Sequence, residues 1–136
     1  MADAQLTDEE LRTLLALRTT LVRGAPAPSV PMTTARRLGG LWLIRSMLTG
    51  GVEISIVGIA VLEQRFLFCR AKGCDGILRR WALTDQKDPV AQLRDDPAEH
   101  GGRRFSLICL KCGATNVLKA TSMPRDRSDY VVTSVL

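Results

Sequence analysis

Hydrophobic and polar positions repeat with different periods along this chain. In residues 7–22, Leu11, Leu14, Leu15, Leu17, Leu21 and Val22 recur at the spacing that gathers apolar side chains on one helical face. Thr7 followed three positions on by Glu10 has the form of a capping box, and Leu6 and Leu11 stand where a hydrophobic staple puts them. The pattern predicts an amphipathic helix within residues 1–23. Residues 24–32 contain Pro26, Pro28 and Pro31 and predict a stiff, extended linker. A helix on such a tether can fold back or reach another chain. Its apolar face, with Leu11, Leu14, Leu15, Leu21 and Val22 as contact residues, is therefore a candidate partner-binding surface.

Residues 33–65 are the most apolar part. A second helix is expected from Thr33 or Thr34 to Gly50-Gly51, carrying Leu38, Leu41, Trp42, Leu43, Ile44, Met47 and Leu48 around Arg36, Arg37 and Arg45. Gly39 and Gly40 cost such a helix about 1 kcal/mol each. Val52 to Ile56 alternates, and Val57 to Leu62 is continuously apolar; the β-branched content predicts a strand. Helix and strand are expected to pack on the segment beyond residue 65. Residues 41–62 are long enough to span a bilayer, but Arg45, Glu53 and the paired glycines argue against it.

Past residue 65 the period shortens. Phe66-Leu-Phe68, Ile77 to Leu83, Arg103 to Cys109 and Val117-Leu118 read as strands, with Ile77, Trp81 and Leu83 sharing one side and Phe105 and Leu107 another. Thr84 to Gly102 is polar and predicts a long loop or a short helix within one. Residues 121–136 form a tail whose end, Tyr130 to Leu136, is apolar and β-prone enough to add a strand to a partner's sheet.

The cysteines change this picture. All four fall in two close pairs, Cys69-x4-Cys74 and Cys109-x2-Cys112-Gly113, each preceded by an apolar strand. Each pair can form a tight turn offering two sulfurs, so the pattern points to one four-thiolate metal site, with zinc ahead of iron. A redox Cys-x-x-Cys and simple core filling are the alternatives, and neither accounts for two close pairs as directly. Two such knuckles beside strands resemble the zinc-ribbon (rubredoxin-like) fold group over residues 66–120. The resemblance rests on the four cysteines, Gly113 and the strand pattern; the four-residue gap in the first pair and the 34-residue interval depart from it. It implies a small antiparallel β domain on zinc, so the expected class is α+β, two N-terminal helices plus a zinc ribbon. Zinc ribbons serve many processes, so the fold does not give the function.

Four protein ligands leave no open position for a reaction, and the single histidine, His100, lies in a polar stretch. Asp95, Asp96 and Glu99 cluster there as solvated charge. The expectation is a protein that is not an enzyme and takes no small-molecule substrate. The formal charge of +5 falls to about +3 once four thiolates surround a divalent ion, and the basic excess lies in the cysteine-bearing half. Arg79, Arg80, Arg103 and Arg104, with Arg70, Lys72 and Lys111 in the knuckles, are candidate phosphate contacts, although acids are mixed among them. The first ten residues are acidic where a secretory signal is basic and then apolar, so reduced cysteines and a cytoplasmic location are expected. The favoured reading is a zinc-stabilised structural or adaptor subunit that docks on a larger protein assembly or on its own copy. The alternative is a nucleic-acid-binding regulator.

Overall fold

The computed structural model describes residues 6–48, 50–81, 91–97 and 101–136. Its described residues contain helices and antiparallel sheets, an α+β fold, in two compact units, Met1–Arg65 and Phe66–Leu136. Among them no helix is long and apolar enough to cross a membrane.

The N-terminal unit begins with helix α1 (Asp8–Arg23). The capping box forms: Glu10 N–H donates to Thr7 Oγ1 at 3.1 Å, and Thr7 N–H donates to Glu10 Oε1 at 2.9 Å. The other carboxylate oxygen of Glu10 meets Arg37 Nε at 2.5 Å, tying α1 to helix α2 (Met32–Gly40). Burial alone would raise the Glu10 pKa, but the Thr7 amide and the Arg37 guanidinium together hold it below the ordinary value of 4.5.

Two expectations fail here. The second helix stops at Gly40 instead of reaching Gly50; the chain then forms β1 (Ile44–Ser46), paired antiparallel with β2 (Val52–Ile54). The stretch expected to continue as a strand to Leu62 turns at Ser55 into helix α3 (Ile56–Arg65). Ser55 N–H donates to the Leu43 carbonyl, and Ser55 Oγ accepts the Gly58 N–H at 3.0 Å, an N-cap that begins the helix. Gly58 permits the approach: an added Cβ would run into the Leu43 carbonyl and stand 2.7 Å from Ile54 Cγ1. β-Branched composition misled because α3 contacts α1 as a helix whose buried positions are Gly58 and Leu62, while Ile56 and Val57 stay exposed.

Of the two readings open for the first helix, folding back is the one observed. α1 packs on β2 and α3 in its own unit, and Leu11, Leu14 and Leu17 are buried with Leu38, Leu43, Ile44, Ile54 and Leu62. Of the residues assigned to a partner face, Leu11 and Leu14 are core, Leu15 and Val22 are half-buried, and Leu21 alone stands exposed.

In the C-terminal unit, β3 (Phe66–Phe68) pairs antiparallel with β4 (Ile77–Arg80). A register shift between Leu67 and Phe68 turns Leu78 into the core, whereas Ile77 and Trp81 are half-buried. The second sheet has the order β5 (Ala91–Pro97), β6 (Arg103–Cys109), β7 (Thr115–Leu118), β8 (Val132–Val135), all antiparallel. β5 replaces part of the expected loop and pairs with β6 along its whole length. It is an edge strand with polar, mostly exposed side chains, so no apolar alternation announces it. The tail adds its strand to its own sheet instead of a partner's: β8 lies beside β7, and Leu136 exchanges both backbone hydrogen bonds with Thr115. Phe105, Leu107, Leu118, Tyr130 and Val132 form one core with Leu78 and three of the cysteines. Phe105 and Leu107 point inward as expected.

Candidate metal centre

Both cysteine pairs sit on turns that end a strand. Cys69 follows β3, and its N–H donates to the Gly76 carbonyl at 2.8 Å, closing the first knuckle. Cys109 ends β6; its N–H reaches the Ala114 carbonyl at 2.9 Å, and Gly113 N–H returns to the Cys109 carbonyl at 2.8 Å. Gly113, at φ 78°, holds the left-handed conformation this turn requires.

The turns bring all four sulfurs within 4.8 Å of one another. Cys69 Sγ lies 3.6 Å from Cys112 Sγ, and Cys74 Sγ lies 3.8 Å from Cys109 Sγ. Metal–sulfur bonds of about 2.3 Å in a tetrahedron place the sulfurs about 3.8 Å apart, whereas a disulfide needs about 2.05 Å. The donor set therefore fits one thiolate-bound metal ion, and all four cysteines are free thiols.

N–H groups surround the sulfurs. Gly76 N–H points at Cys74 Sγ (3.3 Å) and Ala71 N–H at Cys69 Sγ (3.5 Å). Burial pushes the Cys74 thiol up to about 12 despite the Gly76 amide, and burial raises Cys69 despite the Ala71 amide. Cys112, the exposed member, is lowered chiefly by the Ala114 amide. Buried thiols that resist ionisation need a cation before they can stay charged together, so this chemistry suits a metal site.

Gly76 has a role beyond the flexibility its type suggests. A Cβ there would stand 2.5 Å from Cys109 Sγ and 3.2 Å from Cys74 Sγ, so the residue is small because the opposite knuckle's sulfur occupies that space. Sequence reasoning missed two further residues. Asn116, with 0% exposure, donates from Nδ2 to Cys69 Sγ at 3.4 Å and accepts the Arg70 N–H at 2.9 Å, joining β7 to the first knuckle. Its signal was available: a polar residue on the inward side of the strand that leaves the second knuckle. Asp75 pairs with Lys111 at 2.5 Å, a bridge from one knuckle to the other.

The basic residues proposed for phosphate contact are mostly engaged within the unit. Arg70 Nη1 donates to the Val132 carbonyl at 2.9 Å, and Lys111 holds Asp75. Arg103 pairs with Asp95 at 2.6 Å, and the Arg79 guanidinium lies 4.4 Å from the Tyr130 ring centre. Arg80 is half-buried, whereas Lys72 and Arg104 are exposed. Leu83, Glu99 and His100 lie outside the described residues.

No family model, curated protein or solved structure matches this chain.

Proposed function

We propose that the chain is a non-enzymatic binding module, stabilised by one structural zinc ion, that serves as a small cytoplasmic adaptor or structural subunit docking on a larger protein assembly. The observation that carries the reading is the sulfur cluster: four thiols within 4.8 Å of one another, in knuckles that already direct N–H groups at sulfur. When bound, zinc would supply a cross-link between distant strands, with every ligand position filled by the chain. Two knuckles beside antiparallel hairpins also support a zinc-ribbon-like fold for residues 66–120. A docking role draws support from the N-terminal unit, where Trp42, Leu48 and Ile56 stay exposed. The nucleic-acid alternative has less support, because Arg70, Arg79, Arg103 and Lys111 already have partners within the unit.

Elemental analysis of protein purified without added metal tests the centre. One zinc per chain and no visible absorption is expected; less than about half a zinc, with all thiols readily titrated, would overturn it. Iron at the same stoichiometry would replace zinc in the reading. Tight binding to generic DNA or RNA that weakens steeply with salt would overturn the adaptor role in favour of nucleic acid.

A further inference from the structure

The four sulfurs of the metal centre are not equally reachable. Cys69, Cys74 and Cys109 are 4%, 9% and 1% exposed, whereas Cys112 is an exposed residue. The Cys109 sulfur, in the same knuckle as Cys112, is walled in by backbone: a Cβ on Gly76 would stand 2.5 Å from it, so the first knuckle's main chain lies against it. Across the knuckles the arrangement is different. Cys112 Sγ faces Cys69 Sγ at 3.6 Å, and the two residues are 43 positions apart in the chain. A disulfide needs about 2.05 Å, so a shift of about 1.5 Å at the exposed knuckle end joins them.

Two contacts hold the knuckles together beside the sulfurs without needing a metal. Lys111, next to Cys112, pairs with Asp75 at 2.5 Å. Asn116 Oδ1 accepts the Arg70 N–H at 2.9 Å, next to Cys69. The same sulfurs thus admit two fasteners: an ion that takes all four, or a bond between the exposed one and its neighbour across the gap.

We propose that Cys112 is an oxidation site, at which a hydroperoxide replaces the metal cross-link by a Cys69–Cys112 disulfide; this rests on the metal reading above. The Cys112 thiolate attacks one peroxide oxygen, the O–O bond breaks and hydroxide leaves, giving a sulfenic acid. The Cys69 thiolate attacks that sulfur; the S–S bond forms, the S–O bond breaks and a second hydroxide leaves. Two electrons pass from the sulfurs to the peroxide, and the hydroxides take protons from solvent. Cys74 and Cys109 remain as two buried thiols, too few to keep an ion that needs four ligands. The disulfide closes the chain from Cys69 to Cys112 and keeps the β3–β4 hairpin tied to the β6–β7 turn. Under oxidation the chain therefore releases its metal without unfolding.

Treating the zinc-loaded full chain with hydrogen peroxide tests it, with released zinc read by a colorimetric indicator and the disulfide located by peptide mapping. One zinc is expected for every two thiols lost, with Cys69 joined to Cys112 and with Cys74 and Cys109 still open to alkylation. Strand circular dichroism should survive oxidation, whereas a chelator alone abolishes it, and dithiothreitol should restore zinc binding. Cys112→His keeps a side chain that zinc accepts but removes the reactive sulfur, so it should hold its zinc and release it at least about tenfold more slowly under peroxide. The wild-type mapping stands whether or not that variant folds. A Cys109–Cys112 bridge, an intermolecular bridge, zinc retained after the thiols are lost, or unchanged release from Cys112→His would overturn the proposal. A wild type that never takes up zinc fails the metal reading, whereas a zinc-loaded wild type that oxidises without a Cys69–Cys112 bridge fails this inference alone.

Discussion

In the N-terminal unit, Leu11, Leu14 and Leu17 of α1 are buried against β2 and α3, and side-chain polarity enters mainly at the Thr7–Glu10–Arg37 contact. In the C-terminal unit the knuckle ends of β6 and β7 are joined to the β3–β4 hairpin through four sulfurs, Asn116 and the Asp75–Lys111 pair. The first arrangement rests on a set of buried apolar side chains. The second adds to its own apolar core a concentrated cluster of sulfurs and polar contacts, with a donor set that could hold a metal ion. Units of about 70 residues lie near the lower limit for a self-sufficient core, and the contrast shows two ways of meeting that limit.

The largest expected effect separates these modes. Cys109→Ser, or a strong chelator, should remove most of the metal-binding free energy, about 10 kcal/mol or more for a structural zinc site, and unfold residues 66–136. The helical circular dichroism signal of residues 1–65 should survive; loss of helix and strand together would show that the units do not hold themselves independently. Leu14→Ala should do the converse. It removes a fully buried side chain from α1 and should cost about 3–5 kcal/mol, melting the helices while the protein still retains its metal. Metal loss in step with helix loss would count against the comparison.

The smallest effect sharpens the description of the first unit. Glu10→Gln removes the charge from the capping box and the Arg37 pair, and should cost about 1 kcal/mol near neutral pH. The Glu10 pKa is depressed, so its contribution is fully present above the unfolded value near 4.5 and is lost as pH falls through the lower folded value. Thermal melts of variant and wild type should therefore differ at pH 7 and converge in acid. A constant difference across that range would assign the loss to packing.

How much of this was legible in the sequence depended on whether a signal was local. Thr7 and Glu10 announce their capping box because both partners lie in one turn. The cysteine pairs announce a metal site because each pair is itself a turn. The end of α2 was missed because its stop is a Trp, where the expected signal is glycine, and the true glycines Gly39 and Gly40 lie inside the helix. β5 was missed because an edge strand held by β6 needs no apolar face, and its Arg94–Asp96 pair resembles loop chemistry. Asn116 and Gly76 are defined by what the other knuckle brings to them, which no local window contains.

The distance between the knuckles along the chain also sets an order of events during synthesis. Cys74 and Cys109 are 35 residues apart, and α1 to α3 precede both. At translation rates of roughly 5–20 residues per second, the first pair waits about 2–7 seconds for the second. During that interval its two thiols are half a site, open to oxidation or to capture by a competing soft metal. The earlier helices, complete in sequence by then, can fold during the same interval.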